Sequence, residues 1–218
     1  MMIRKTTKFG RLSACLFTVL LSATAASLLA QEGPPPLPEG GENLLGQGTP
    51  ESYVLRNKKD AVAEKAIVLA EPGQPFDKMT RVTVTQASGK PWDSALDINL
   101  ASNLTSGDLA FLRFYYRTAP GGTDSLSAEM TVQIGEWKPP FSKVLDKKLD
   151  VTNEWQRCDL VIPVTTDLAA KVSELTFLLG TAAQTVDIAG VQLVNFHQTV
   201  APATLPPDGE YVVSIESN

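Results

Sequence analysis

The chain is poor in the residues that most often perform covalent or acid–base chemistry. Of 218 residues one is histidine and two are cysteine. A Ser-His-Asp or Cys-His arrangement would have to use His197, which lies past the last well-patterned strand with no nucleophile motif beside it. Cys15 belongs to the leader described below. Cys158 sits on the apolar side of its strand, where a small buried hydrophobe is expected. No Cys and His cluster has metal-ligand spacing, and no glycine-rich loop joins a strand to a helix to cradle phosphate. Glu129, Glu136 and Glu154 are candidates for a paired-carboxylate mechanism, but no compact acidic triplet of the form Glu-x-Asp-x-x-Glu runs along one strand. The residues favour recognition over catalysis.

What they offer for recognition is a polar face. Arg81, Asp97, Asn99, Arg113, Tyr115, Arg117, Glu129 and Gln133 all lie opposite the apolar positions of their strands. One reading is an ordinary solvated sheet face. The other is a sugar-binding surface: pyranose rings present apolar C–H faces that pack on flat aromatic rings, and their hydroxyls need bidentate polar partners such as Arg, Asp, Asn and Gln. Tyr115 between two arginines suits the second reading, and Tyr115→Ala is then expected to weaken binding while stability changes little. Trp92 (Gly-Lys-Pro-Trp-Asp) and Trp137 (Gly-Glu-Trp-Lys-Pro-Pro-Phe) stand beside prolines at loop–strand junctions, placed either to stack a sugar at the rim or to plug the end of the fold. Trp155 is expected to pack under a loop.

These side chains need strands to position them. Period-two alternation marks half-buried antiparallel strands at Met79–Gln86, Ala95–Ala101, Leu109–Arg117, Ser127–Ile134 and Trp155–Ile162. In Gln184–Phe196, Val186 and Ile188 share one parity and Val191 and Leu193 the other, so one extra residue near Ala189-Gly190 predicts a β-bulge. Turn signals fall at Ser88–Pro91, Ser106–Asp108, Pro120–Gly122 and Pro139-Pro140. Lys58–Ala66 and Thr166–Glu174 could each form two helical turns at most. The class is all-β, a two-sheet antiparallel β-sandwich of the jelly-roll kind.

The first thirty residues read as a signal peptide, with a basic start (Arg4, Lys5, Lys8, Arg11) and an uncharged run from Ala14 to Ala30 that is short for a membrane span. Cleavage is expected after Ala30, with Ala25 and Ala26 as alternatives. Residues 31–47 form a Pro/Gly-rich linker, 48–199 the sandwich, and 200–218 a Pro-rich tail with a short strand or frayed end at Tyr211–Ile215. The leader carries four basic and no acidic residues, so 15 of the 19 Lys and Arg remain against 24 Asp and Glu, a net charge of −9. That argues against nucleic acid and anionic membrane surfaces. With Cys158 as the one remaining cysteine, no intramolecular disulfide can form.

The order of several short motifs carries a resemblance: Val82-Thr83-Val84, Lys90-Pro91-Trp92-Asp93, Ser106-Gly107-Asp108, Tyr116-Arg117, Pro139–Leu145, Glu154–Arg157 and Val186–Leu193. Over about residues 48–199 the chain resembles the carbohydrate-binding modules with a galactose-binding-like jelly roll found in bacterial secreted xylanases and cellulases. The resemblance implies a non-catalytic, secreted module, in the periplasm or outside the cell, that binds plant cell-wall polysaccharide such as xylan or β-glucan as a monomer. It implies a cleft carrying Asp97, Asn99, Arg113, Tyr115 and Gln133, with Trp92 or Trp137 at the rim. Many relatives have an acidic residue at about Gly190, near a structural calcium ion, which glycine cannot ligate, so no cofactor is expected. No hydrolase domain accompanies the module here, so a relict accessory part of a glycoside hydrolase is one alternative. A structural or adhesive module contacting a protein partner at the cell surface is another.

Overall fold

Alternating apolar and polar side chains require a sheet with one face on a core. The structure, a computed structural model, describes residues 33–46, 48–58, 60–119 and 127–213. The signal peptide, Cys15 and the turn expected at Pro120–Gly122 lie outside the described residues. Twelve strands form: β1 (Glu42–Asn43), β2 (Val54–Asn57), β3 (Val62–Leu69), β4 (Lys78–Gln86), β5 (Ser94–Asn99), β6 (Leu109–Thr118), β7 (Ser127–Glu136), β8 (Lys143–Thr152), β9 (Gln156–Pro163), β10 (Ser173–Leu178), β11 (Gln184–Asn195) and β12 (Gly209–Val212). They make two antiparallel sheets. The larger runs β12-β9-β6-β11-β4-β3, with β1 also pairing β11; the smaller runs β2-β5-β10-β7-β8. The expected β-sandwich is what the chain forms, with most connections crossing between sheets.

The core lies between the inner faces. Leu96, Ile98, Val132, Ile134, Leu175 and Phe177 of the small sheet meet Val82, Leu112, Phe114, Tyr116, Val186 and Ile188 of the large one. Phe114 sits edge-on to Phe177 at 5.1 Å between ring centroids and 5.4 Å from Tyr116, so three rings join the layers. Each such buried side chain contributes about 1.5–3 kcal/mol. The bulge falls where parity put it: the β11–β6 register shifts between Ala189 and Gln192, and Gly190 takes a left-handed φ of 56°.

Several expectations need correction. Lys58–Ala66 is not helical: β3 runs through it as the open edge of the large sheet, which is why its polarity is mixed. Thr166–Glu174 yields one 3-10 turn, Ala170–Val172, before β10 begins. The flanks are not free linkers. β1 pairs with β11, and Leu44 and Leu45 are in the core. β12 pairs with β9, and Glu210 accepts from the Tyr116 hydroxyl at 3.2 Å and pairs with Lys147 of β8 at 3.1 Å. The compact unit begins at Gly33. On the β3 edge, Lys65 turns beneath the strand and donates to the carbonyls of Tyr53 and, at 3.3 Å, Glu51.

Candidate functional site

The outer face of the small sheet is built in cross-strand rows. Register places Val54, Asp97, Thr176, Gln133 and Asp146 opposite one another across all five strands. At about 4.8 Å per strand the row spans roughly 19 Å. Over it lies a groove of about 800 Å³, whose lining includes Trp92, Asp97, Gln133, Trp137, Phe141 and Thr176. Gly135, near the end of β7, lets the chain leading into β8 pack closely on it; a Cβ there would meet the Ser142 carbonyl oxygen at 2.5 Å.

The rim is aromatic and solvent-facing. Trp92 is 51% exposed, Trp137 52% and Phe141 56%, unusual values for such large apolar side chains. Trp92 rides on a 3-10 turn, Pro91–Asp93, tied down by Gly180 N–H donating to the Pro91 carbonyl (3.0 Å) and by the Ser88 hydroxyl donating to Asp93 (2.7 Å). Trp137 leaves the end of β7 with its N–H donating to the Val172 carbonyl at 3.0 Å. Phe141 holds a φ of 59°, a left-handed conformation that costs a side-chain-bearing residue free energy.

The floor's charges are mutually satisfied. Arg56 of β2 forks onto Asp97 (Nε–Oδ2 2.7 Å, Nη2–Oδ1 2.9 Å), approaches Glu174 at 3.6 Å and donates to the Trp92 carbonyl at 3.4 Å. The bond to Asp97 raises the Arg56 pKa. Burial, with the neighbouring Asp97 charge, raises that of Glu174. Gln133 Nε2 donates to Asp146 at 3.1 Å and Lys143 pairs with the same carboxylate at 2.8 Å. Glu136 accepts from Ser142 N–H at 3.3 Å. Every carboxylate lining the groove thus has a partner.

Of the seven residues expected at the site, Trp92, Asp97, Gln133 and Trp137 converge on this groove. Asp97, buried at 8% exposure, acts by holding Arg56 rather than by facing a ligand. Asn99 is on the same face, one row beyond, outside the lining. Arg113 and Tyr115 do not belong here. They lie on β6 of the large sheet, so the single polar face expected is two faces pointing apart. Nor is that second face solvated: the segment from Gly33, the loop between β3 and β4, and Val213 after β12 pack on it, and every residue of β6 is buried. Tyr115 is 4% exposed and packs on Phe76 (5.3 Å) and on bare Gly190, where a Cβ would approach its ring to 2.9 Å. Its arginine neighbours are paired, Arg113 with Asp159 (2.7 and 2.8 Å), which Arg157 also meets at 3.2 Å, and Arg117 and Arg81 both with Asp187 (3.3 and 2.7 Å). Trp155, also buried, stacks under Arg117 at 4.5 Å.

Sequence reasoning missed Arg56, Thr176, Asp146 and Phe141. The first three lie on strands whose alternation was not read, and the only signal for Phe141 was the Pro-Pro turn before it. His197 stands apart, on the large sheet's side, with Nδ1 3.5 Å from Asp108 and Nε2 3.3 Å from Glu42. Cys158 is fully buried, and burial pushes its thiol pKa up to about 12. A Cβ at Gly190 would meet the Tyr115 ring at 2.9 Å, and among the described residues no three His, Cys, Asp or Glu converge. Among them also, no helix is long and apolar enough to cross a membrane.

The sequence matches no protein-family model and no curated protein. Solved structures do match. A CBM4 carbohydrate-binding module aligns with a TM-score of 0.53 at 15% identity, over 68% of this chain and 90% of that one. A CBM22-1 xylan-binding domain from Paenibacillus barcinonensis Xyn10C aligns at 0.48 and 13% identity, over 73% and 97%. The N-terminal cellulose-binding domain of Cellulomonas fimi β-1,4-glucanase C aligns at 0.47 and 17%, over 66% and 89%. The chain has the β-sandwich fold of a carbohydrate-binding module.

Proposed function

We propose that this chain is a secreted, non-catalytic module that binds plant cell-wall polysaccharide, xylan or β-glucan, in the groove of the small sheet. The observation that carries the reading is the pairing of three exposed rings, Trp92, Trp137 and Phe141, with a row that is polar on four of the sheet's five strands. The rings supply flat apolar platforms for sugar C–H faces, and Gln133 and the outer edge of Arg56 supply hydroxyl partners. A groove crossing every strand takes an extended chain of several rings. Because the groove carboxylates are already engaged, the ligand is held and not cleaved. Secretion rests on the leader sequence. The adhesive alternative requires a broad apolar patch, whereas the other large exposed apolar side chains, among them Val54, Val62, Ile67 and Leu69, lie on edge strands.

Native affinity electrophoresis tests the proposal, with gels containing xylan, barley β-glucan, galactan or no sugar. Retardation by xylan or β-glucan that Trp137→Ala abolishes is the expected result. Equal mobility in all gels would sink the reading.

A further inference from the structure

A second cavity lies on the opposite sheet. Along one side of β11, pairing with β4 ends at Ala189 and pairing with β1 begins only at Val194, with Leu44 N–H donating to the Leu193 carbonyl. Between them, Gly190–Gln192 have no strand partner on that side, and on the other side the same residues form the bulge against β6. The gap opens into a cavity of about 550 Å³, walled by the proline strap Pro34–Pro36, Pro75, Arg113, Tyr115 and Gln192. A sheet normally closes such a break with an unbroken ladder. Here the nearest chain is proline, which has no N–H to offer.

The chemistry of the walls selects a ligand class. Arg113 is 4% exposed and held by a bidentate bond to Asp159, a carboxylate that Arg157 also meets at 3.2 Å, so its guanidinium is fixed in place. One further N–H goes to the Pro35 carbonyl at 2.9 Å; the rest of the guanidinium remains a fixed donor. Gln192 adds a solvent-facing amide that both donates and accepts. The strap adds rigid proline rings that present C–H surface. Fixed donors, an amide that also accepts, and small apolar walls fit a polyol.

We propose that this cavity is a second carbohydrate site, taking a single neutral sugar ring, a chain end or a side branch, independently of the groove. Arg113 and Gln192 bond its hydroxyls, and the strap prolines cover one ring face. It does not rest on the groove being a sugar site.

The test is a titration of the isotope-labelled full-length chain with xylobiose and with cellobiose, followed through backbone amide shifts. The native protein is compared with the groove variant Gln133→Ala/Trp137→Ala. The expected result is that the Gly190 and Gln192 amides move with the same Kd in both proteins, and that Gln192→Ala, at an exposed position, weakens this binding about tenfold. Silence of those amides with both sugars overturns the proposal, as does movement only in the native protein, which would mean relay from the groove. If Gly190 moves while Thr176 stays silent, the groove reading fails and the second site stands.

Discussion

Tyr115→Ala separates the two faces most sharply. The ring is 4% exposed, pairs with Phe76 at 5.3 Å and covers Gly190, in a cluster with Met79, Trp155 and Ala189. Removing a large buried aromatic leaves a void that the sheet cannot fill and loses the ring pair; together these cost about 3–4 kcal/mol. For a chain of this size that is a fall in Tm of roughly 6–16 °C. Tyr115→Phe keeps the packing and is expected to cost under about 1 kcal/mol. Thermal unfolding followed by circular dichroism gives the first quantity, and affinity electrophoresis in the preferred polysaccharide gives the second. The expected pattern is a large stability loss with groove affinity unchanged in the folded protein. A variant that melts within a degree or two of the native chain but loses tenfold in affinity would mean that β6 faces the ligand, and would refute the assignment of the groove to the small sheet.

Trp137→Ala should do the reverse: at least a tenfold loss of polysaccharide affinity, about 1.4 kcal/mol, with a Tm change of no more than about 2 °C. Calorimetric titration and melting on the same sample check it. Glu174 has its pKa raised above the ordinary 4.5, first by burial and then by Asp97. The folded state therefore binds more protons than the unfolded one between 4.5 and the raised value, and stability falls as pH rises through that window. Glu174→Gln should remove this dependence and melt higher than the native chain above the window, read from Tm against pH. Ending the chain after Thr199 removes the buried Leu205 and β12 and leaves the Tyr116 hydroxyl without Glu210. The urea midpoint should fall by the equivalent of at least about 3 kcal/mol.

How much of this was legible in the sequence depended on the range of the interaction. The β11 bulge was, because a parity switch within one strand is a local record of register. Trp92 and Trp137 were, because large rings beside prolines in polar surroundings are conspicuous wherever the strands go. The division of Arg113 and Tyr115 from Asp97 and Gln133 was not. Alternation says which side of a strand a residue occupies but not which of two sheets the strand joins. The arginines looked solvated because their partners are remote: Asp159 is 46 residues from Arg113, and Asp187 is 106 from Arg81. The flanks were read as linkers from their proline content, although Leu44 and Leu205 sit in the folded body.

Lys65 has a consequence at another scale. Modules gathered along one polysaccharide strand are held at high local concentration, with sheet edges brought repeatedly side by side. β3 is an open edge rich in Ala, Val, Ile and Leu, the composition that templates strand-to-strand growth. An ammonium group turned under that edge and bonded to the Tyr53 and Glu51 carbonyls would be trapped and desolvated by any strand added there. A lysine so placed works against strand-to-strand association through β3.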